Sequence, residues 1–135
     1  MNPIITDWKG RRVWLVGASS GIGAAMAREL ASRGARLALS ARSVDKLTAL
    51  AIPDALLLPC DATDVDSLAE ARLAMLESWG GVDLVVYLAG DYVPMQADNF
   101  DLAVAERIVA VNFNGAMRLA ATVLPDLKAG GGIAF

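Results

Sequence analysis

"VGASSGIGAAMAREL", residues 16–30, sets Gly17, Gly21 and Gly23 between an apolar run and a helical one. Glycine is about 0.5–1 kcal/mol worse than alanine inside a helix or strand, so this cluster at the start of a helix needs a physical reason. Upstream, "RVWLVG" (12–17) reads as a strand that ends in Gly17. Downstream, Ile22, Ala25, Met26 and Leu30 recur at helical spacing and predict the core face, with Arg28, Glu29 and Ser32 outside it. Arg33 and Gly34 supply a C-terminal stop. A strand, a glycine turn, a helix and a second strand about 20 residues on form the context that a dinucleotide-binding turn requires. In that context Gly17 permits the tight turn and Gly21 lets a ligand approach the backbone. Gly23 lets the helix pack closely, and the helix N-terminus offers free N–H groups to a pyrophosphate.

The rest of the chain repeats the alternation. Strands are predicted at "RLALSA" (36–41), "ALLLPC" (55–60) and "DLVVYLAG" (83–90), with a fifth beginning in "GGGIAF". Between them lie a short helix in "VDKLTALA", a helix ending at Trp79 before Gly80-Gly81, and a long helix from about Phe100 to Leu124. Thr63 and Asp66 predict a capping box for the second of these, whose apolar face holds Leu68, Arg72, Met75, Leu76 and Trp79 with Arg72 snorkelling. Alternating strands and helices imply one doubly wound α/β domain over 1–135, a parallel sheet with helices on both faces.

Composition narrows the chemistry. The chain has 135 residues, 56% of them hydrophobic, and a net charge of −3; its mean hydropathy is +0.46. Short apolar runs suit a sheet covered on both sides rather than a membrane span. An acidic balance argues against nucleic acid. Zero histidines and one cysteine exclude Ser-His-Asp hydrolysis and leave no metal site. The lone Cys60 and the absence of a signal sequence in "MNPIITDWKGRR" point to a reducing, cytoplasmic location. Cys60 reads as an inert, small, buried hydrophobe.

The glycine spacing is G-x-x-x-G-x-G, and "LVGASSGIG" resembles the signature of the short-chain dehydrogenases/reductases. The resemblance continues in order through "CDATD" (60–64), "YLAG" (87–90), "VNFNGAMRLA" (111–120) and "LPDLKAGGGIAF", covering essentially the whole chain. It implies a Rossmann fold and an oxidoreductase moving hydride between a nicotinamide and a carbonyl or alcohol. It assigns the cofactor to Gly17, Ser19, Ser20, Gly21, Ile22, Gly23, Asp61, Ala62, Ala89 and Gly90, and the active-site asparagine to Asn112. Asp61 read alone serves equally as a helix cap. Two departures stand out: Val16 replaces a threonine, and Tyr87-Leu88 replaces a pair of asparagines. The first of that pair braces the backbone, so Tyr87 predicts altered strand geometry more than lost cofactor binding.

Ser40-Ala41-Arg42 ends the second strand with no acid before Asp45. An acid there would favour NAD, whereas Arg42, aided by Ser40 and by Ser19 or Ser20, suits a 2′-phosphate. The expected cofactor is NADP(H) in preference to NAD(H). Catalysis in the family needs a serine and a Tyr-x-x-x-Lys pair. The only tyrosines are Tyr87 and Tyr92, and Asp91 and Gln96 stand four residues on. Two readings follow: the cofactor-binding half of a reductase truncated before its catalytic residues, binding without turnover, or a non-catalytic dinucleotide-binding or protein-interaction module. The long helix is apolar on more than one side. That suits a homo-oligomer interface or an intrachain neighbour.

Overall fold

β1 (Arg12–Val16) alternates its side chains between two buried layers, and the whole sheet is organised around it. In the computed structural model, which describes residues 5–135, β1 pairs in parallel with β2 (Arg36–Ser40) on one side and β4 (Val82–Tyr87) on the other. β3 (Leu56–Leu57) lies beyond β2 and β5 (Leu127–Ala134) beyond β4, giving the order β3-β2-β1-β4-β5. Residues 1–4, part of the stretch read for a signal sequence, lie outside the described residues.

Val13 and Leu15 face one layer, with Leu37, Leu39 and Val86, under α1 (Gly21–Ser32) and α2 (Val44–Thr48). Trp14 and Val16 face the other, with Ala38, Val85 and Tyr87. α3 (Val65–Trp79) covers that side through Leu68, Ala71 and Met75, and α5 (Ala116–Val123) through Leu119 and Val123. Burying each such aliphatic side chain is worth about 1.5–3 kcal/mol, and the fully buried ones come from both layers. At the base of the sheet the Arg12 guanidinium donates to both Asp83 carboxylate oxygens and to the Trp79 carbonyl, tying β1, α3 and β4 together. On the same side Arg72 of α3 pairs with Asp126, ahead of β5.

Several sequence expectations are corrected. On α1 the face against the sheet is Gly23, Ala24, Ala27 and Leu30, while Ile22 is 75% exposed and Ala25 is also exposed. Small residues let the helix axis approach the strands; Ile22 and Ala25 rotate outward, while Met26 is half-buried and still packs against this layer. There Ile22, Ala25 and Met26 join Trp8, Leu84 and Val86 around an apolar groove. The cap of α3 is Asp64, which accepts from the N–H groups of Asp66 and Ser67; Thr63 instead donates to Asp61. β3 is reduced to two residues, and Pro59 just beyond it turns its missing N–H to the open edge of the sheet, where no strand pairs. Hydrogen bonds from Leu58 N to Leu39 O and from Cys60 N to Ala41 O still hold the segment along β2.

The long helix has three parts: α4 (Leu102–Val109), a π-helical turn (Ala110–Gly115) and α5. Counted as one 25-residue stretch to Asp126, it is apolar and long enough to cross a membrane, which amends the reading that every apolar run is short. Gly115, Leu119 and Val123 pack on the sheet, while most of the stretch stays exposed.

Candidate functional site

Strand order reverses at β1, since β2 lies on one side and β4 on the other. Ligands of open α/β sheets bind beyond the carboxyl ends of the strands at such a point. A cleft of about 810 Å³ opens there, bordered by the β1–α1 turn, the ends of β2, β3 and β4, and α4.

The glycines divide by task. Gly17 has φ +97°, and a Cβ on it would overlap the backbone of Leu88 and Ala89. Its bareness lets the turn lie flat against the end of β4. A Cβ on Gly23 would overlap the Gly17 carbonyl and crowd Ala18, so Gly23 lets the first turn of α1 close onto the loop. Gly21 has φ +52° with nothing within 4 Å of its would-be Cβ. Only Gly21 is bare toward open cleft, as a closely approaching ligand requires. Ser20 caps α1 with extended backbone and no side-chain hydrogen bond to the helix, which leaves its hydroxyl available beside the N–H groups of the first turn.

Of the residues assigned to a cofactor, Gly17, Ser19, Ser20, Gly21, Ile22 and Gly23 line the cleft, as do Arg42, Asp61, Ala62, Ala89 and Gly90. Ser40 does not. It is fully buried, and its hydroxyl accepts from Trp14 Nε1 at 2.8 Å. Its parity on β2 sends it into the layer under α3, so it serves the core rather than a phosphate. The cation that shares this end of the cleft with Arg42 is Lys46 on α2, four residues further along the chain.

Asp61 Oδ1 accepts from the Thr63 hydroxyl at 2.7 Å and from its N–H at 2.9 Å. These bonds, with a smaller contribution from the Arg42 charge, hold its carboxyl below the usual range. The carboxylate is therefore ionised and oriented at the cleft wall. Cys60 also lines the cleft; burial pushes its thiol up to about 11, so at neutral pH it is not a thiolate nucleophile.

Asn112 sits in the π-helical turn rather than in regular helix. Its Oδ1 accepts from Asp91 N at 2.7 Å and its Nδ2 donates to Asp91 O at 2.9 Å. The amide thus clips the chain just beyond Gly90 instead of lining the cleft itself. The Asp91 carboxylate in turn accepts from Arg107 Nε at 2.7 Å, and Asp91, Arg107 and Val111 form the wall on that side. Arg107 was missed from sequence, although it lies one turn before Val111.

Tyr87 keeps its place in the ladder with β1, in register with Val16; the irregularity of β4 lies instead in its pairing with β5, between Val82 and Leu84. Its phenol, held protonated by burial, donates to the Val111 carbonyl at 2.6 Å. The brace expected of an asparagine at this position is supplied by a larger side chain reaching a different partner.

The cleft fits a dinucleotide in its glycine turn, its free helix N-terminus, and the opposed charges of Asp61 and Arg42. Comparison with known proteins agrees. The short chain dehydrogenase family profile matches residues 11–135. The human dehydrogenase/reductase SDR family member 7 is 34% identical over 140 residues, covering 90% of this chain and 41% of that protein. An uncharacterized oxidoreductase of Staphylococcus haemolyticus is 30% identical over 131 residues, covering 94% of this chain and 57% of its own. Among solved structures, a short-chain dehydrogenase/reductase from Brucella melitensis superposes with TM-score 0.89 at 28% identity, over 94% of this chain and 56% of that one. One from Serratia marcescens gives 0.86 at 28%, over 94% and 55%. The chain thus spans about half the length of these relatives. The solved relatives share its fold, and because the family profile matches residues 11–135, the chain belongs to the short-chain dehydrogenase family.

Proposed function

We infer that the chain is the NADP(H)-holding part of an oxidoreductase that moves hydride between a nicotinamide and a carbonyl or alcohol. The observation that carries the choice of NADP(H) is the pair of cations at the end of β2. Arg42 and Lys46 both line the cleft, and neither makes an ion pair among the described residues. No acid stands between Ser40 and Asp45 to take a ribose 2′-hydroxyl or repel a 2′-phosphate. Arg42 offers a planar fork and Lys46 a mobile point charge, complementary ways to hold phosphate oxygens. The pyrophosphate belongs at the glycine turn and the adenine between Asp61 and Val111.

Among the described residues, neither tyrosine is placed to protonate an alkoxide. The Tyr87 phenol is committed to Val111, and Tyr92 is 83% exposed on a loop. We therefore assign cofactor binding without turnover to the chain by itself. Self-association is proposed for the outer face of α4 and α5, where Leu102, Val109, Phe113, Met117 and Leu124 stand exposed along one stripe. Titration of the Arg42→Ala variant tests the cofactor assignment. NADPH affinity falls about 10- to 100-fold, the loss of one or two charge-assisted hydrogen bonds, and NADH affinity stays within about twofold. Equal losses for both cofactors, or none for NADPH, would refute the phosphate role.

A further inference from the structure

The β4 side of the cleft is held by a feature that belongs to this chain rather than to the glycine signature. The π-helical turn Ala110–Gly115 interrupts an otherwise regular helix, and such turns are weak by themselves and frequent at functional sites. Here two successive residues of the turn are gripped from outside. The Val111 carbonyl takes the Tyr87 phenol at 2.6 Å, and the Asn112 amide takes both backbone groups of Asp91 at 2.7 and 2.9 Å. Tyr87 and Asp91 flank the end of β4, so the turn is stitched to that strand at two points. Room for the phenol is made by Gly115: a Cβ there would overlap Tyr87 Oη and stand 3.1 Å from the Ala62 carbonyl.

From this geometry we propose that Tyr87 is a positioning residue of the cleft. Its phenol fixes the π-helical turn in the phase that aims Asn112 at Asp91, and thereby holds the Asp91–Arg107 pair on the cleft wall. Tyr87 touches no ligand in this role and acts through Asn112. Gly115 is its necessary counterpart, because any side chain there displaces the phenol. The effect on cofactor affinity rests on the dinucleotide reading of the cleft, whereas the effect on Asn112 does not.

The test is Tyr87→Phe, which keeps the ring and removes the hydroxyl, followed by NMR of the 15N-labelled chain. The side-chain amide signals of Asn112 should move toward those of a free asparagine. Exchange of the Asp91 N–H should accelerate about tenfold or more, and the dissociation constant for NADPH should rise about three- to tenfold, as for one lost hydrogen bond. Gly115→Ala, with the phenol pushed aside, should give the same Asn112 and Asp91 signature. Adding Gly115→Ala to Tyr87→Phe should then change those signals little further. Unchanged Asn112 and Asp91 signals in a folded Tyr87→Phe chain would overturn the positioning role and leave Tyr87 a core residue. If the unaltered chain binds no NADPH, the cofactor reading fails instead, and the Asn112 signals still decide the role of Tyr87.

Discussion

Replacing each glycine of the β1–α1 turn by alanine should separate folding from binding within seven residues. At Gly17 the alanine would hold φ +97° and drive its Cβ into the backbone of Ala89. The dihedral costs about 1–2 kcal/mol and the overlap about 1–3 kcal/mol, for a total of about 2–5 kcal/mol. At Gly23, already inside helix α1, the overlap with the Gly17 carbonyl alone gives about 1–3 kcal/mol. At Gly21 nothing stands within 4 Å, so stability loses only the dihedral cost of about 1–2 kcal/mol. Its methyl group, however, projects where a pyrophosphate must meet the backbone. Lost N–H contacts there should weaken dinucleotide binding about 10- to 100-fold. Urea unfolding gives the first ranking, with Gly17→Ala the most damaging; fluorescence titration with NADPH, done well below each variant's unfolding transition, gives the second, with Gly21→Ala worst per unit of stability lost. A Gly21→Ala chain that binds as tightly as the original, or a Gly17→Ala chain that is equally stable, would refute the division of tasks.

Three further outcomes are expected. Ser40→Ala strands the Trp14 indole N–H in the core and should cost about 1–3 kcal/mol in urea unfolding, while NADPH affinity stays unchanged; a selective loss of NADPH binding would restore Ser40 to the phosphate site. Arg12→Ala breaks a partly buried pair that also holds the Trp79 carbonyl and should cost about 1–2 kcal/mol. Hydrogen bonding from Arg12 holds the Asp83 carboxyl below its usual range, so its contribution is present above about pH 4 and is lost as pH falls through the lower folded value. The stability gap between the original chain and Arg12→Ala should therefore narrow on acidification below pH 4, and a gap independent of pH would contradict the pairing. Phe113→Asp places a charge in the exposed stripe of α4 and α5 and should shift sedimentation toward monomer; no change would remove that face as a self-association surface.

The glycine turn was legible in part because some of its reasons are local: Gly21 takes a positive φ and Gly23 meets Gly17 and Ala18 within the same turn, whereas the close approach of Leu88 and Ala89 to Gly17 comes from the far end of β4. The five parallel strands were legible too, since apolar runs and helical periods alternate along the chain. What escaped depends on which partner a residue meets. Ile22 and Ala25 have the spacing of a core face, yet the bare Gly23 and the small Ala24 and Ala27 let α1 turn another side to the sheet. Ser40 looked like a loop donor at a strand end, but both faces of this sheet are buried and strand parity delivers it to Trp14. Thr63 and Asp64 compete for one cap, and the aspartate wins because Asp61 engages the threonine. The π-helical turn leaves no mark on apolar periodicity; it shows only where Tyr87, 24 residues earlier than Val111, takes up a carbonyl.

Equilibrium binding of NADPH and NADH to this chain, followed through tryptophan fluorescence and checked by calorimetry, tests the cofactor assignment most directly. The account predicts one saturable site per chain, with NADPH bound about tenfold or more tighter than NADH. A chain that is folded by circular dichroism yet binds neither nucleotide, or prefers NADH, would contradict it.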